Sequence, residues 1–415
     1  MTAQRTFWTL VISAAAILAV TMGIRQSMGL FVSPLNTSTR LGIVTVSFAM
    51  AIAQFAWGAA QPLFGMLADR VGSFKVIVLG TVLLAAGLAI TPFMDSAFGL
   101  VFAVGILSAV GAGAGSFSIL IGAAAQRLPA ERRSTAAGFI NAGGSMGQFI
   151  FAPLTQALIH TFNWVIALFA LAATSLTAIL LALPLRENKG VAEKRAVAQA
   201  EGITLGQQLS LAFKDRSYIC LNIGFLTCGF HIAFLVTHLP GEVSLCSLSA
   251  SVGAASLAII GLANVIGSIG AGWLGQTRRM KMILFWMYGS RAVAIAIYLL
   301  APKTELTFYI FAAVLGLTWL ATVPPTAGLV GKLFGPRYLA TLFGFTLFSH
   351  QIGGFFGAWL GGITLVQTGS YEWMWYADIV LACIAALVNL PIRESHPNLS
   401  LSKQLTHESS IQSNE

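Results

Sequence analysis

Charge is scarce in this sequence, and acidic charge most of all: 14 Asp and Glu stand against 23 Lys and Arg in 415 residues, 9% charged in total. A soluble domain carries about 25% charged residues, so most of this chain's surface is expected to face something other than water. Cysteine is also rare. The four Cys, at 220, 228, 246 and 383, show no short repeated spacing, which excludes a disulfide scaffold and a cysteine-based zinc site. No nucleophile–base pair, metal-ligand cluster or phosphate loop can be read from the order of residues, so the chain is read as neither an enzyme nor the holder of a cofactor. The net charge of +9 is spread over short loops without interleaved aromatics, and nucleic acid is not expected as a partner.

What the chain has in excess is apolar surface, with 57% hydrophobic residues and a mean hydropathy of +0.82. A bilayer core of about 30 Å takes roughly 20 apolar residues per helix. Twelve such runs occur, near 8–34, 42–67, 75–94, 98–124, 134–158, 162–184, 217–239, 249–275, 282–301, 305–330, 338–366 and 373–392. They are too long, and too free of alternation, for the strands of a membrane barrel. Membrane lipid is therefore the first expected partner. With the N-terminus on the cytoplasmic side, 19 of the 23 basic residues fall in inner segments. Only Arg40 and Lys303 fall outside, and only Arg25 and Arg291 within spans. That asymmetry puts both termini in the cytoplasm.

The longest polar interruption divides the spans six and six. The expected organisation is a six-helix bundle over 1–184, a cytoplasmic linker over 185–216, a second bundle over 217–392 and a disordered tail over 393–415. Leu205, Leu209 and Phe213, at i, i+4 and i+8, predict a short helix on the membrane surface within the linker. The halves also repeat. Gly65-Met66-Leu67-Ala68-Asp69-Arg70 returns as Gly272-Trp273-Leu274-Gly275-Gln276-Thr277, and Gly138 with Gly147 returns as Gly344 with Gly353. A duplicated six-helix unit is a transporter architecture, with substrate held at mid-membrane between the halves.

Gly65-x-Leu67-Ala68-Asp69-Arg70-x-Gly72, followed by Lys75, resembles the loop signature of the major facilitator superfamily. The resemblance runs to about residue 395 and implies an all-α fold of twelve membrane helices in two pseudo-symmetric bundles. Within the superfamily, three stretches are similar to the monocarboxylate transporter and oxalate/formate antiporter branch. They are Trp57-Gly-x-x-Gln61-Pro62, Trp319-x-x-Thr322-x-Pro324-Pro325 and His350-Gln351-x-Gly353-x-Phe-x-Gly357-x-Trp359. The chain departs from that branch where substrate is selected: Gly23-Ile-Arg25-Gln26 replaces an acidic-Gly motif, span 8 lacks an Asp/Arg pair, and span 11 has His350 in place of a lysine. The resemblance further implies that Asp69, with Arg70 and the glycines 65 and 72, forms an inner gate that holds the start of span 11.

Ionisable groups inside a membrane mark a functional site or a paired structural element. Here they are Arg25, Arg291, His231, His238, His350 and Asp378, with no carboxylate central in spans 1, 4, 7 or 10, the spans that the resemblance puts around the cavity. Two arginines without a central carboxylate make a cavity of positive potential. Arginine binds carboxylates through paired hydrogen bonds and keeps its charge, so a small organic anion, a mono- or dicarboxylate, is the expected substrate. The candidate binding residues are Arg25, Asn141, His231, Arg291, Thr318, Trp319, Thr322, His350 and Gln351. Each has a structural alternative: Arg25 snorkelling or bonding free carbonyls, Arg291 satisfied by carbonyls in a peripheral helix, the histidines hydrogen-bonded in place, Trp319 packing. Pro324-Pro325 lack the N–H groups a helix needs and should break span 10. A histidine near neutrality can carry a coupled proton, and exchange for another anion is equally open. The expected protein is a monomeric secondary transporter of the inner membrane. An exporter of larger amphipathic compounds, such as drugs or siderophores, is the alternative, favoured by nine Trp and 28 Phe.

Overall fold

In a computed structural model, which describes residues 3–186 and 203–394, all regular structure among those residues is helical. The lipid solvent explains this. A backbone in hydrocarbon must satisfy its own N–H and C=O groups, and a helix does so within one segment. The long helices are α1 (Ala3–Ser27), α2 (Ile43–Val71), α3 (Ser73–Ile90), α4 (Ala97–Ala125), α5 (Ala130–Thr161) and α6 (Trp164–Leu181). After a linker helix (Leu205–Lys214) come α7 (Arg216–Leu245), α8 (Ala250–Thr277), α9 (Met280–Leu300), α10 (Glu305–Phe334), α11 (Leu339–Thr368) and α12 (Glu372–Asn389). The predicted tail beyond Glu394 and residues 187–202 of the predicted linker lie outside the described residues.

Among the described residues ten helices are both long and apolar enough to cross a bilayer. The other two long helices, α2 and α5, contain 29 and 32 residues. At about 1.5 Å per residue each exceeds a hydrocarbon core of roughly 30 Å. In α5 the apolar character is diluted by small and amide residues such as Gly138 and Asn141, with which it meets α8. Lipid-facing positions show the opposite character: Phe98 is 82% exposed, Val366 86% and Leu300 89%.

The repeat in sequence is a repeat in packing. Within the halves α1 runs along α5 and α7 along α11, and the halves meet where α2 packs on α11 and α5 on α8. Gly147 and Gly353 take equivalent positions. A Cβ on Gly147 of α5 would stand 2.0 Å from the Ala19 carbonyl of α1, and one on Gly353 of α11 would stand 1.9 Å from the Leu226 carbonyl of α7. Their partners Gly138 and Gly344 do the same across the halves, against Ser268 and Gly272 of α8 and against Gln61 and Pro62 of α2. Small residues here let backbones touch, which is how helices associate without a hydrophobic force between them. Gly72, with φ of +94°, turns the chain from α2 into α3 in a region that favours glycine.

Two helices are irregular. α4 contains a π-helical stretch at Val101–Ser108 and is interrupted at Gly115 and Ser116. α10 stops at Thr318 and resumes at Val323. Pro324 and Pro325 occupy the first turn of the resumed segment, where a missing N–H costs nothing, so the break falls about one turn before the prolines that cause it.

Candidate substrate site

Arg25 lies near the end of α1, partly buried. Its Nη2 donates to Gln54 Oε1, and its guanidinium lies over the Trp57 ring, 4.1 Å from the centroid. Gln54 and Trp57 are one turn apart on α2 and so present one face to α1. Among the described residues no carboxylate pairs with Arg25. One amide oxygen and one ring face hold the cation in place, and neither neutralises it.

Next along α2, Gly58 makes room for α11: a Cβ there would stand 2.4 Å from Gln351 Cβ. Gln351 Nε2 lies 3.0 Å from His350 Nδ1. The His350 ring is 4.8 Å from Phe225, and its backbone is pressed against Gly229 of α7. His350 is within electrostatic reach of both Arg25 and Arg291. These residues of α1, α2, α9 and α11 therefore share one zone of the bundle.

Arg291 occupies a different environment. It is 1% exposed, and its Nη2 donates to the carbonyls of Thr318 and of Trp319, the latter at 2.6 Å. Nη1 donates to Cys228 Sγ at 3.3 Å, and Nε lies 3.5 Å from Thr318 Oγ1. The break in α10 frees those carbonyls, and Arg291 caps them. Two amides complete the accounting of the break. Leu320 N donates to Asn264 Oδ1 at 2.9 Å, and Asn141 Nδ2 donates to the Leu320 carbonyl at 2.7 Å. Asn141 also donates to Ser268 Oγ at 2.7 Å, while Asn264 donates to Ser145 Oγ, so α5 and α8 exchange matching Asn–Ser contacts. Thr322, fully buried, faces Cys228 Sγ at 3.6 Å.

His231 of α7 pairs through Nδ1 with Asp378 Oδ2 of α12, and both side chains are buried, 2% and 1% exposed. The Trp319 ring meets the His231 ring edge-on at 5.8 Å. Several polar atoms of this zone are buried without a partner: Trp57 Nε1, Trp319 Nε1, His231 Nε2, His350 Nε2 and Asn141 Oδ1. Each such group costs about 1–3 kcal/mol if it stays unsatisfied.

At the end of the bundle that carries the basic loops, Asp69 accepts from Thr341 N at 3.2 Å and Thr341 Oγ1 at 2.6 Å, and from Gln126 Nε2 at 3.3 Å. Asp69 of α2 is thus bonded to the first turn of α11. Gly65 permits the approach, since a Cβ there would stand 2.6 Å from the Ala340 carbonyl. Arg70 is exposed. At the linker helix, Phe213 contacts Tyr218 and Phe345, and Tyr338 OH donates to the Ile203 carbonyl at 3.2 Å.

Geometry adds residues that were not among the candidates: Asp378, Asn264, Ser268 and Cys228. Two of these, Asn264 and Ser268, had a signal in their spacing. Asn141-x-x-x-Ser145 is matched by Asn264-x-x-x-Ser268, and one turn of spacing puts each Asn and Ser on a common face.

The family model described as Major Facilitator Superfamily matches residues 9–358 of this chain. Over 411 residues the chain is 26% identical to Monocarboxylate transporter 13 of Rattus norvegicus, covering 95% of this chain and 91% of that protein. Over 393 residues it is 23% identical to the Oxalate:formate antiporter of Oxalobacter formigenes, covering 92% and 89%. The solved structure of the proton:xylose symporter XylE bound to 6-bromo-6-deoxy-D-glucose matches with a TM-score of 0.73 at 15% identity, over 94% of this chain and 95% of that one. That last likeness is one of fold alone.

Proposed function

The chain belongs to the Major Facilitator Superfamily, and from that premise we propose that this multi-pass membrane transporter carries a small organic anion, a mono- or dicarboxylate, by alternating access. The observation that carries the reading is Arg25: a guanidinium inside the bundle, oriented by Gln54 and Trp57, with no carboxylate partner among the described residues. A lone cation in low dielectric attracts an anion far more strongly than it would in water, and its planar fork matches a carboxylate. His350 and Gln351 of α11 are the other residues of the site. An anion between α1 and α11 touches both halves, which rock about it. Relatives named for monocarboxylates and for oxalate and formate support the same class of cargo.

In this reading the remaining candidates divide by role. Arg291, Asn141, Thr318 and Thr322 shape the break in α10, and Trp319 and His231 lie behind it. Asp69 bonded to Thr341 is a latch closed on the inner side, with Gly65 and Gly72 setting its backbone. The protein sits in the inner membrane as a monomer of two bundles, 1–184 and 217–392, with the basic loops and both termini in the cytoplasm.

A ligand that binds the folded state raises its stability with occupancy. The test is thermal stabilisation of the purified protein by monocarboxylates, dicarboxylates and bulky hydrophobic cations. The reading expects stabilisation by a small carboxylate and none by the cations. Stabilisation by the cations alone would replace the anion carrier with an exporter of amphipathic compounds.

A further inference from the structure

The first turns of α1 present two faces. Phe7, Leu10, Val11 and Ala14 are buried against the bundle, while Arg5, Trp8, Thr9 and Ile12, at i, i+3, i+4 and i+7, form an exposed stripe turned away from it. Gln4 and Ser13 extend the stripe at its ends, and these six residues line a groove of about 500 Å³. None of them belongs to the anion site. α1 starts at Ala3 and its membrane-spanning part at Phe7, on the side of the basic loops. At about 1.5 Å per residue the groove covers about 12 Å from Gln4 to Ile12. It leads from charged and amide side chains at head-group level, past Trp8, 39% exposed, to Ile12, 61% exposed, in the hydrocarbon.

α5 adds a second cation and a second ring. Arg132, in its first turn, has its guanidinium over the Phe7 ring, 5.7 Å from the centroid, and Phe139, two turns on, meets the Trp8 ring edge-on at 5.2 Å. Phe7 meets Trp8 edge-on as well, at 5.2 Å, so two rings fix the indole in place. The charge here is of one sign. The lining contains no Asp or Glu, and Glu131, the acid beside Arg132 in the chain, lies within electrostatic reach of Arg133. The Thr9 hydroxyl is spent on the Arg5 carbonyl at 2.8 Å. Among the described residues the guanidinium groups of Arg5 and Arg132, the Gln4 amide and Trp8 Nε1 have no hydrogen-bond acceptor. The groove is therefore a row of free donors that continues into an apolar trough.

We propose that this groove holds an anionic phospholipid of the leaflet on the side of the basic loops, with its phosphodiester on Arg5 and Arg132, its glycerol esters against Trp8 and an acyl chain along Ile12. The order of chemistry along the groove, cation, indole and alkyl, is the order met on crossing one leaflet from water to hydrocarbon. Guanidinium groups match phosphate oxygens through paired hydrogen bonds. A zwitterionic lipid would bring an ammonium group that finds no carboxylate in the lining, and a free phosphate would use the donors but not the trough. The lipid would tie the start of α1 to the start of α5. This site is independent of the cargo at Arg25, so it stands or falls separately from the carrier reading.

The test uses the full chain in phosphatidylcholine bilayers that contain a minor fraction of brominated phosphatidylglycerol or of brominated phosphatidylcholine, because bromine quenches an indole only in near contact. The Trp8 signal is the difference between wild type and Trp8→Phe. Each arginine near the head groups favours an anionic lipid about fivefold, so phosphatidylglycerol is expected to be preferred at Trp8 by about 25-fold in the wild type. Most of that preference should vanish in Arg5→Gln/Arg132→Gln. Arg278→Gln/Arg279→Gln removes the same charge from exposed positions after α8 and should leave it in place. Equal quenching by the two lipids in the wild type overturns the proposal. So does an equal loss in both double variants, which reduces the effect to the general charge of that face, and so does release of the quenching by millimolar inorganic phosphate, which assigns the groove to a soluble anion. Native mass spectrometry gives a second readout that needs no Trp8 variant: a retained phosphatidylglycerol adduct that disappears in Arg5→Gln/Arg132→Gln upholds the site, and one that survives the change overturns it.

Discussion

Replacing Arg25 with alanine removes a guanidinium that is held by Gln54 and Trp57 and has no carboxylate partner among the described residues. Two unit charges 4 Å apart attract by about 4 kcal/mol at an effective dielectric constant of about 20, and a hydrogen bond to a charged group contributes about 1.5–3 kcal/mol. The two overlap, so we take about 3 kcal/mol for the loss, which weakens a carboxylate by about 150-fold. Arg25→Lys keeps the charge but loses the fork and most of the stacking on Trp57, contacts of about 1 kcal/mol together, so it should weaken binding about fivefold to tenfold. Neither change should unfold the protein, because Arg25 has one hydrogen-bond partner and one ring contact and its removal takes a cation out of the bundle. The assay is a carboxylate titration of purified variants by calorimetry, with thermal unfolding as a control on the fold. An Arg25→Ala protein that binds within about threefold of wild type, or an Arg25→Lys protein that binds more weakly than Arg25→Ala, would refute the reasoning.

Arg291→Met should behave in the opposite way. It uncaps the carbonyls of Thr318 and Trp319 and costs about 3 kcal/mol of stability, read as a lower Tm, with a smaller loss of carboxylate affinity than Arg25→Ala. Asn141→Ala leaves the Leu320 carbonyl and Ser268 without their donor, a cost of about 1–3 kcal/mol. A double-mutant cycle with Asn264→Ala should be non-additive, because both amides serve Leu320. Asp69→Asn weakens the bonds to Thr341, and the population should move toward the inward-open state. A cysteine at Ala340, in a background freed of the four native cysteines, should then be labelled about tenfold faster, which corresponds to about 1.4 kcal/mol of bias.

The twelve rods were legible in the sequence because lipid imposes a length and forbids interior charge, and the repeat was legible because Gly138, Gly147, Gly344 and Gly353 do the same packing work in each half. A short helix after the polar interruption was legible in Leu205, Leu209 and Phe213, and a helix spans Leu205–Lys214. The site was legible only in part. Arg25 stood out as an intramembrane cation, but nothing local reports that its neighbours are Gln54 and Trp57 of the next helix. Arg291 stood out equally, and its partners lie 27 and 28 residues away at a break whose carbonyls no periodicity reveals. Asp378 stood among the intramembrane ionisable groups, but only the fold brings α12 against His231, 147 residues distant. Long-range pairing of helices is set by small residues and shape, and a single sequence records which residues are small but not which helix each one meets.

The most direct measurement of the central claim is uptake of radiolabelled small carboxylates into liposomes containing the purified full chain, measured as counterflow against an internal pool of the same anion, beside a lipophilic cation as the competing cargo. The account predicts carboxylate counterflow in the wild type, its loss in Arg25→Ala and no movement of the cation. Movement of the cation with the carboxylates left outside, or carboxylate counterflow unchanged in Arg25→Ala, would contradict it.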